Sequence, residues 1–201
     1  MQTGLIVAGG RSTRFGDRDK ALADLAGTPM IRRVADRITG AVDAVVVNCR
    51  TDQVDDIESA LTGVDADLTF APDERPDEGP LAGIATGLRT AESEYTLVVA
   101  CDMPFLDPEF AQYLFERAAN HDAAVPRPDD WLQPMQAVYR TEPTRTACER
   151  ALARGDRRAV APLNGLDYVV VDRGDIESHT TLESLRNLNT RAEFERARER
   201  F

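Results

Sequence analysis

The segment Gly9-Gly10-Arg11-Ser12-Thr13-Arg14-Phe15-Gly16-Asp17-Arg18-Asp19-Lys20 combines three glycines with four cationic side chains. Glycine lets a backbone turn tightly and bring N–H groups up to an anion, and Arg11, Arg14, Arg18 and Lys20 can offset phosphate charge. The spacing matches neither G-x-G-x-x-G nor G-x-x-x-x-G-K-[ST], which argues against dinucleotide hydride transfer and against an ordinary ATPase or kinase. Of the 24 basic residues in the chain only Lys20 is a lysine, so a sequence that uses arginine everywhere else keeps a lysine in its glycine-rich loop. A second segment, Val98-Val99-Ala100-Cys101-Asp102-Met103-Pro104-Phe105-Leu106, ends an apolar run on an aspartate. Burying that carboxylate is costly unless something compensates it. Mg²⁺ shared with nucleotide phosphates would do so, and so would a local role capping the turn before Pro104; the residues alone leave both open. The third segment, Gly79-Pro80-Leu81-Ala82-Gly83-Ile84, is a glycine turn entering a helix of small residues, which taken alone is a packing feature. His121 and His179 fall outside all three segments and read as surface residues.

For these segments to meet, strands must end where the loops begin. Apolar runs and helical patterns alternate: Thr3 to Ala8 as strand, Pro29 to Ile38 as helix, Ala44 to Asn48 as strand, Val54 to Leu61 as helix. Leu68 to Ala71 follows as strand, Leu81 to Ala91 as helix, Tyr95 to Cys101 as strand and Pro108 to Asn120 as helix. Four such units predict a single α/β domain, Rossmann-like, with a mostly parallel central sheet and helices on both faces. The remainder is less regular, with strands over Ala123 to Pro126, Gln136 to Tyr139 and Tyr168 to Val171 and helices over Thr144 to Ala153 and Ala192 to Arg200, and it extends the same sheet. Ligands of open α/β sheets bind beyond the carboxyl ends of strands near a switch in strand order, which singles out the loops after Ala8, Asn48, Ala71 and Cys101.

With 201 residues, 42% of them hydrophobic, the chain can bury one core. No apolar run approaches the ~20 residues that cross a bilayer, and the first residues lack a signal-peptide pattern, so a cytoplasmic protein is expected. Cys49, Cys101 and Cys148 lack C-x-x-C spacing and read as small buried side chains rather than a disulfide or zinc set. The net charge is −11, and residues 51 to 80 carry ten Asp or Glu against Arg75 alone, a field that repels nucleic acid and anionic membranes. Acid excess with almost no lysine also fits a salt-rich cytoplasm, where surface charge is screened over a few ångströms.

Together the motifs resemble the molybdenum cofactor guanylyltransferases, MobA-like members of the α/β nucleotidyltransferases. The motif L-A-G-G-x-S-x-R-M-G-x-D-K-A-L corresponds to VAGGRSTRFGDRDKAL, G-x-P-L to Gly27-Thr28-Pro29-Met30, and N-x-N-T to Asn187-Leu188-Asn189-Thr190; G-P-L-A-G-I at Gly79 to Ile84 and C-D-x-P-F-L at Cys101 to Leu106 are intact. The resemblance implies transfer of GMP from GTP to the phosphate of molybdopterin, with pyrophosphate released. It implies that the backbone of Val7, Ala8 and Gly9 meets the guanine nucleotide and Lys20 its phosphates, that Asn48 and Asp73 touch nucleotide, and that Arg14 neutralises phosphate. It also implies that Asp102 contacts GTP and binds Mg²⁺, and that residues 1–106 form the nucleotide-binding part and 107–201 the acceptor-binding part. Contact with cofactor-assembly proteins would be transient, since molybdopterin is labile. A cytidylyltransferase for molybdopterin, a guanylyltransferase for another phosphorylated acceptor, and a GTP-binding adaptor module are the alternatives. The family's H-P-L is Gln133-Pro134-Met135 here and the proline after N-x-N-T is Arg191, both in the acceptor-binding half.

Overall fold

A computed structural model describes residues 1–10, 19–74 and 78–201. Alternation along the strands builds it: in β1 (Thr3–Val7), Leu5 joins the apolar cluster on one face of the sheet and Ile6 the cluster on the other. A tight hairpin, β2 (Asp24–Leu25) and β3 (Thr28–Pro29), leads into α1 (Met30–Ile38). Then come β4 (Ala44–Cys49), α2 (Val54–Ala60), β5 (Asp67–Pro72), α3 (Pro80–Thr90), β6 (Tyr95–Ala100) and α4 (Pro108–Ala118). The second half supplies β7 (Ala123–Arg127), β8 (Gln136–Arg140), α5 (Thr141–Ala153), β9 (Tyr168–Asp172), α6 (Arg173–His179) and α7 (Arg191–Arg198). Short 3₁₀ turns sit at Thr51–Gln53, Ala161–Gly165 and Leu182–Leu185.

The strand order is β5-β4-β1-β6-β8-β7-β9, with β8 antiparallel to both its neighbours and the other pairings parallel. The expected mostly parallel sheet is present, and the less regular second half does extend it. Ile31, Val34, Ile38, Ile57, Phe110, Leu114 and Ile176 pack α1, α2, α4 and α6 on one face. Leu81, Ile84, Leu88, Cys148 and Ala151 pack α3 and α5 on the other. A third, smaller cluster of Leu25, Met30, Leu188, Phe194 and Ala197 holds α7 against the hairpin. Cys49 and Cys148 are buried, Cys101 is half-buried, and all three are free thiols, each pushed to a higher pKa chiefly by burial.

Three local features depart from the sequence reading. The hairpin turns through Ala26 and Gly27, both at positive φ (+52° and +82°), the geometry of a two-residue primed turn, and alanine at its first position conceals it. α5 begins at Thr141 rather than Thr144, because Pro143 falls in the first turn, where no N–H is needed. The segment 173–179 is helical with Ile176 as its one buried residue, so it carries no helical stripe to read. No helix among the described residues is long and apolar enough to cross a membrane.

Candidate nucleotide site at the carboxyl edge of the sheet

Register aligns the ends of the three central strands, since Val7 pairs with both Asn48 of β4 and Ala100 of β6. The chain moves from β1 out to β4 and β5 and then returns through α3 to β6 on the other side of β1, so the strand order switches at β1 and leaves a crevice beyond its end. Ala8 N donates to Asn48 O at 2.7 Å and Cys101 N to Val7 O at 3.2 Å, which carries the ladder one step past the strands and sets Gly9 and Asp102 at the rim.

On the β6 side, Lys20 Nζ donates to Asp102 Oδ2 at 2.5 Å, with Lys20 8% and Asp102 9% exposed. The carboxylate of Asp102 thus has a compensating cation 82 residues away in sequence, a partner apart from both the Mg²⁺ and the turn cap that the sequence left open. Two asparagines complete the group. Asn187 Nδ2 donates to Asp102 Oδ1 at 3.3 Å, and Lys20 Nζ donates to Asn189 Oδ1 at 3.4 Å. Between them Leu188 is fully buried in the third cluster, and its N–H donates to Asp102 O at 3.0 Å, so an apolar anchor turns both flanking amides to the pair. Glu193 holds this segment from below, accepting from the N–H groups of Asn189 and Thr190 at 2.9 Å each. Burial raises the pKa of the Glu193 carboxyl, but the hydrogen bonds from Thr190 and Asn189 outweigh it and leave that pKa below the ordinary value. Arg191, where the family pattern has proline, is the first residue of α7, and the Thr190–Glu193 capping box starts that helix without it. Gln133 ties the β7–β8 loop to the neighbouring segment through Nε2 to Leu185 O at 3.2 Å.

The β4 side is built on Asn48, which is fully buried. Its Nδ2 donates to Ala71 O at 3.0 Å and to Asp73 Oδ1 at 2.7 Å, while its Oδ1 has no hydrogen-bond partner among the described residues. An unpaired buried acceptor is expensive unless a ligand donor meets it. Gly9 and Gly83 close on the same point: a methyl group on Gly83 would strike Asn48 Oδ1, and one on Gly9 would strike the Asp73 carboxylate. Gly83 packs against the crevice itself, because its missing side chain lets α3 approach the end of β4. Burial raises the pKa of the Asp73 carboxyl, with the Asn48 hydrogen bond and Arg50 acting the other way.

The structure therefore brings Val7, Ala8, Gly9, Asn48 and Asp73 together on one side of the crevice and Lys20 and Asp102 on the other. Arg14, like Arg11 and Arg18, lies outside the described residues. The histidines are peripheral: His121 Nδ1 meets Asp167 Oδ2 at 3.0 Å and the exposed His179 stacks on Tyr113. Sequence reasoning missed Asn187 and Asn189 as members of the site, although the N-x-N spacing around one apolar residue was their signal. It also missed Arg50 and Gln53, which carry no motif.

A family model described as the MobA-like NTP transferase domain matches residues 4–167. A Natronomonas pharaonis protein named "Probable molybdenum cofactor guanylyltransferase" is 54% identical over 99% of this chain and 98% of its own. A Haloferax mediterranei protein of the same name is 36% identical over 94% and 89%. Among solved structures, molybdopterin-guanine dinucleotide biosynthesis protein A from Archaeoglobus fulgidus superposes with a TM-score of 0.81 at 27% identity, covering 99% of this chain and 97% of that one. With the Lys20–Asp102 pair at the strand-order switch and a match over most of its length, the chain belongs to the MobA-like NTP transferase domain family.

Proposed function

We infer that this protein transfers GMP from GTP to the phosphate of molybdopterin and releases pyrophosphate. The observation that carries the reading is the buried Lys20–Asp102 pair at 2.5 Å, set at the rim of the crevice in a chain whose relatives are named molybdenum cofactor guanylyltransferases. The acceptor is a phosphate monoester and already nucleophilic near neutral pH, so no Ser-His-Asp or Cys-His set is needed. Its oxygen forms a bond to the α-phosphorus of GTP as the bond to pyrophosphate breaks, and the protein supplies alignment and charge compensation. Lys20, released from Asp102 when phosphates arrive, offsets charge on the leaving pyrophosphate, and Arg14 adds to it from the glycine-rich loop. Val7 to Gly9 offer backbone groups to the nucleotide, and Asn48 and Asp73 offer acceptors to donors on it.

Among the described residues no three His, Cys, Asp or Glu side chains form a metal cluster. One carboxylate with two amide neighbours fits Mg²⁺, which keeps waters and takes further oxygens from nucleotide phosphates. Asp102 would hold it, and Mg²⁺ when bound would polarise the α-phosphate. Residues 1–106 bind nucleotide and 107–201 the acceptor, with Asn187 and Asn189 reaching across to Lys20 and Asp102. The reading places the protein in the cytoplasm, beside its GTP and the proteins that hand over the labile pterin.

The test is pyrophosphate release by the purified protein with Mg²⁺ and molybdopterin, from GTP and from CTP. GTP should be used and CTP not, and Asp102→Ala or Lys20→Ala should lower kcat by about 100-fold or more, as loss of one charge-stabilising group does. Preference for CTP would make it a cytidylyltransferase. GTP binding without pyrophosphate release for any phosphorylated acceptor would make it an adaptor, and full activity of Asp102→Ala would remove the metal role.

A further inference from the structure

Arg50 and Gln53 stand at the end of β4, far in sequence from Lys20, yet both reach the residue before it. Gln53 is 2% exposed. Its Oε1 accepts from Arg50 N at 2.8 Å, and its Nε2 donates to Asp19 Oδ2 and to Ala8 O, the latter at 3.5 Å. The Arg50 guanidinium spans the same gap, with Nη1 to Gly10 O and Nη2 to Asp19 Oδ2 at 3.4 Å each, while its Nε is held by Asp52 Oδ1 at 3.1 Å. The other oxygen of Asp19 accepts from Ala21 N at 3.0 Å, so the Asp19 carboxylate is fixed from both sides and Lys20 lies between two tethered residues. One end of the tie is the backbone of Ala8 and Gly10, just beyond β1; the other is Asp19.

We propose that Arg50 and Gln53 are positioning residues that fasten Asp19 to the end of β1 and so aim Lys20 at Asp102 and the nucleotide phosphates. The proposal rests on the nucleotidyltransferase reading. A structural account of Gln53 as buried filler predicts that Glu at this position is costly whatever stands at position 19, whereas the tie requires a donor on one of the two side chains facing an acceptor on the other. Gln53→Glu keeps the shape and sets a second carboxylate against the first, which like-charge repulsion disfavours. Asp19→Asn combined with Gln53→Glu restores the bond with donor and acceptor exchanged and leaves the net charge unaltered relative to the wild type.

The experiment measures KM and kcat for ATP, CTP, GTP and UTP in pyrophosphate release, with acceptor KM and melting temperature alongside. Gln53→Glu should lower kcat/KM for the preferred nucleotide by about tenfold or more, the scale of one hydrogen bond to a charged group, with acceptor KM within about twofold of wild type. The exchanged double variant should recover most of that loss. Unchanged kcat/KM in Gln53→Glu, or a double variant no better than the single, overturns the proposal. Should Gln53→Glu fail to fold, Arg50→Ala, at a side chain only 16% exposed, tests the tie through the same ratio and in the same direction. A wild type that prefers a nucleotide other than GTP defeats the guanylyl reading, while the tie is still judged on the nucleotide it does use.

Discussion

Lys20 and Asp102 are costly partners to separate. Each is less than a tenth exposed, and removing one leaves the other an uncompensated charge at the rim of the core, a loss of about 3 kcal/mol at the low end of what breaking a buried pair costs. Replacing both with apolar residues leaves no such charge. The pair should therefore separate stability from activity: Lys20→Met should melt several degrees below wild type, Lys20→Met with Asp102→Leu should recover most of that difference, and neither should release pyrophosphate. Thermal melts of the four proteins of this cycle give the answer, and equal destabilisation in the single and double variants would show that the ion pair is not what the fold feels. The same cost explains why the pair exists at a place where stability alone would choose leucine. On the proposed function, a cation waits there in a polar bond that substrate phosphates can replace.

The elements matter through how closely they approach, and α3 shows it twice. A methyl group on Gly87 would strike the Leu5 side chain in the fully buried core, whereas one on Gly83 would strike Asn48 Oδ1 and come within 3.0 Å of Val7 Cγ1. Gly87→Ala should thus cost about 1–3 kcal/mol of stability by overpacking, partly offset by the ~1 kcal/mol that alanine gains in a helix, and leave nucleotide KM near wild type. Gly83→Ala should raise nucleotide KM by about tenfold or more, because the added methyl group displaces the buried acceptor of Asn48. Similar KM values in the two variants would mean that the two glycines serve packing alone. This difference was not legible from G-P-L-A-G-I as a string, although the motif itself was. Apolar runs alternating with helical patterns were enough to give the parallel sheet, and the carboxyl ends of those runs gave the right loops. The hairpin at Ala26 and Gly27, the helix over 173–179 and the tie from Arg50 and Gln53 were not readable, since a primed turn without its usual residues, a helix with one buried side chain and two polar residues that pair across more than thirty positions leave no periodic trace.

Over the whole molecule the charge is −11, and much of the arginine sits in local exposed pairs such as Arg145 with Glu142, Arg173 with Glu177 and Arg158 with Asp156. Such pairs contribute little each, and being in contact they are screened less than charges spread across the surface. What remains is the repulsion of the acid excess, densest over residues 51 to 80, where ten Asp or Glu stand against one basic residue, and it acts over distances that salt shortens from about 10 Å at 0.1 M to about 3 Å at 1 M. Stability should therefore rise as KCl goes from about 0.1 M to 1 M, the opposite of what a fold held by surface ion pairs would do. Neutralising exposed acids in that region tests the cause. Glu58→Gln, Asp65→Asn and Asp67→Asn together should raise the melting temperature at low salt and flatten its rise with KCl; Glu58 lies in the last turn of α2, where a negative charge also opposes the helix dipole. A wild-type melting temperature that stays level over that range, or a gain in the variant that is the same at every salt concentration, would show that acidity here serves solubility rather than a stability tuned to salt.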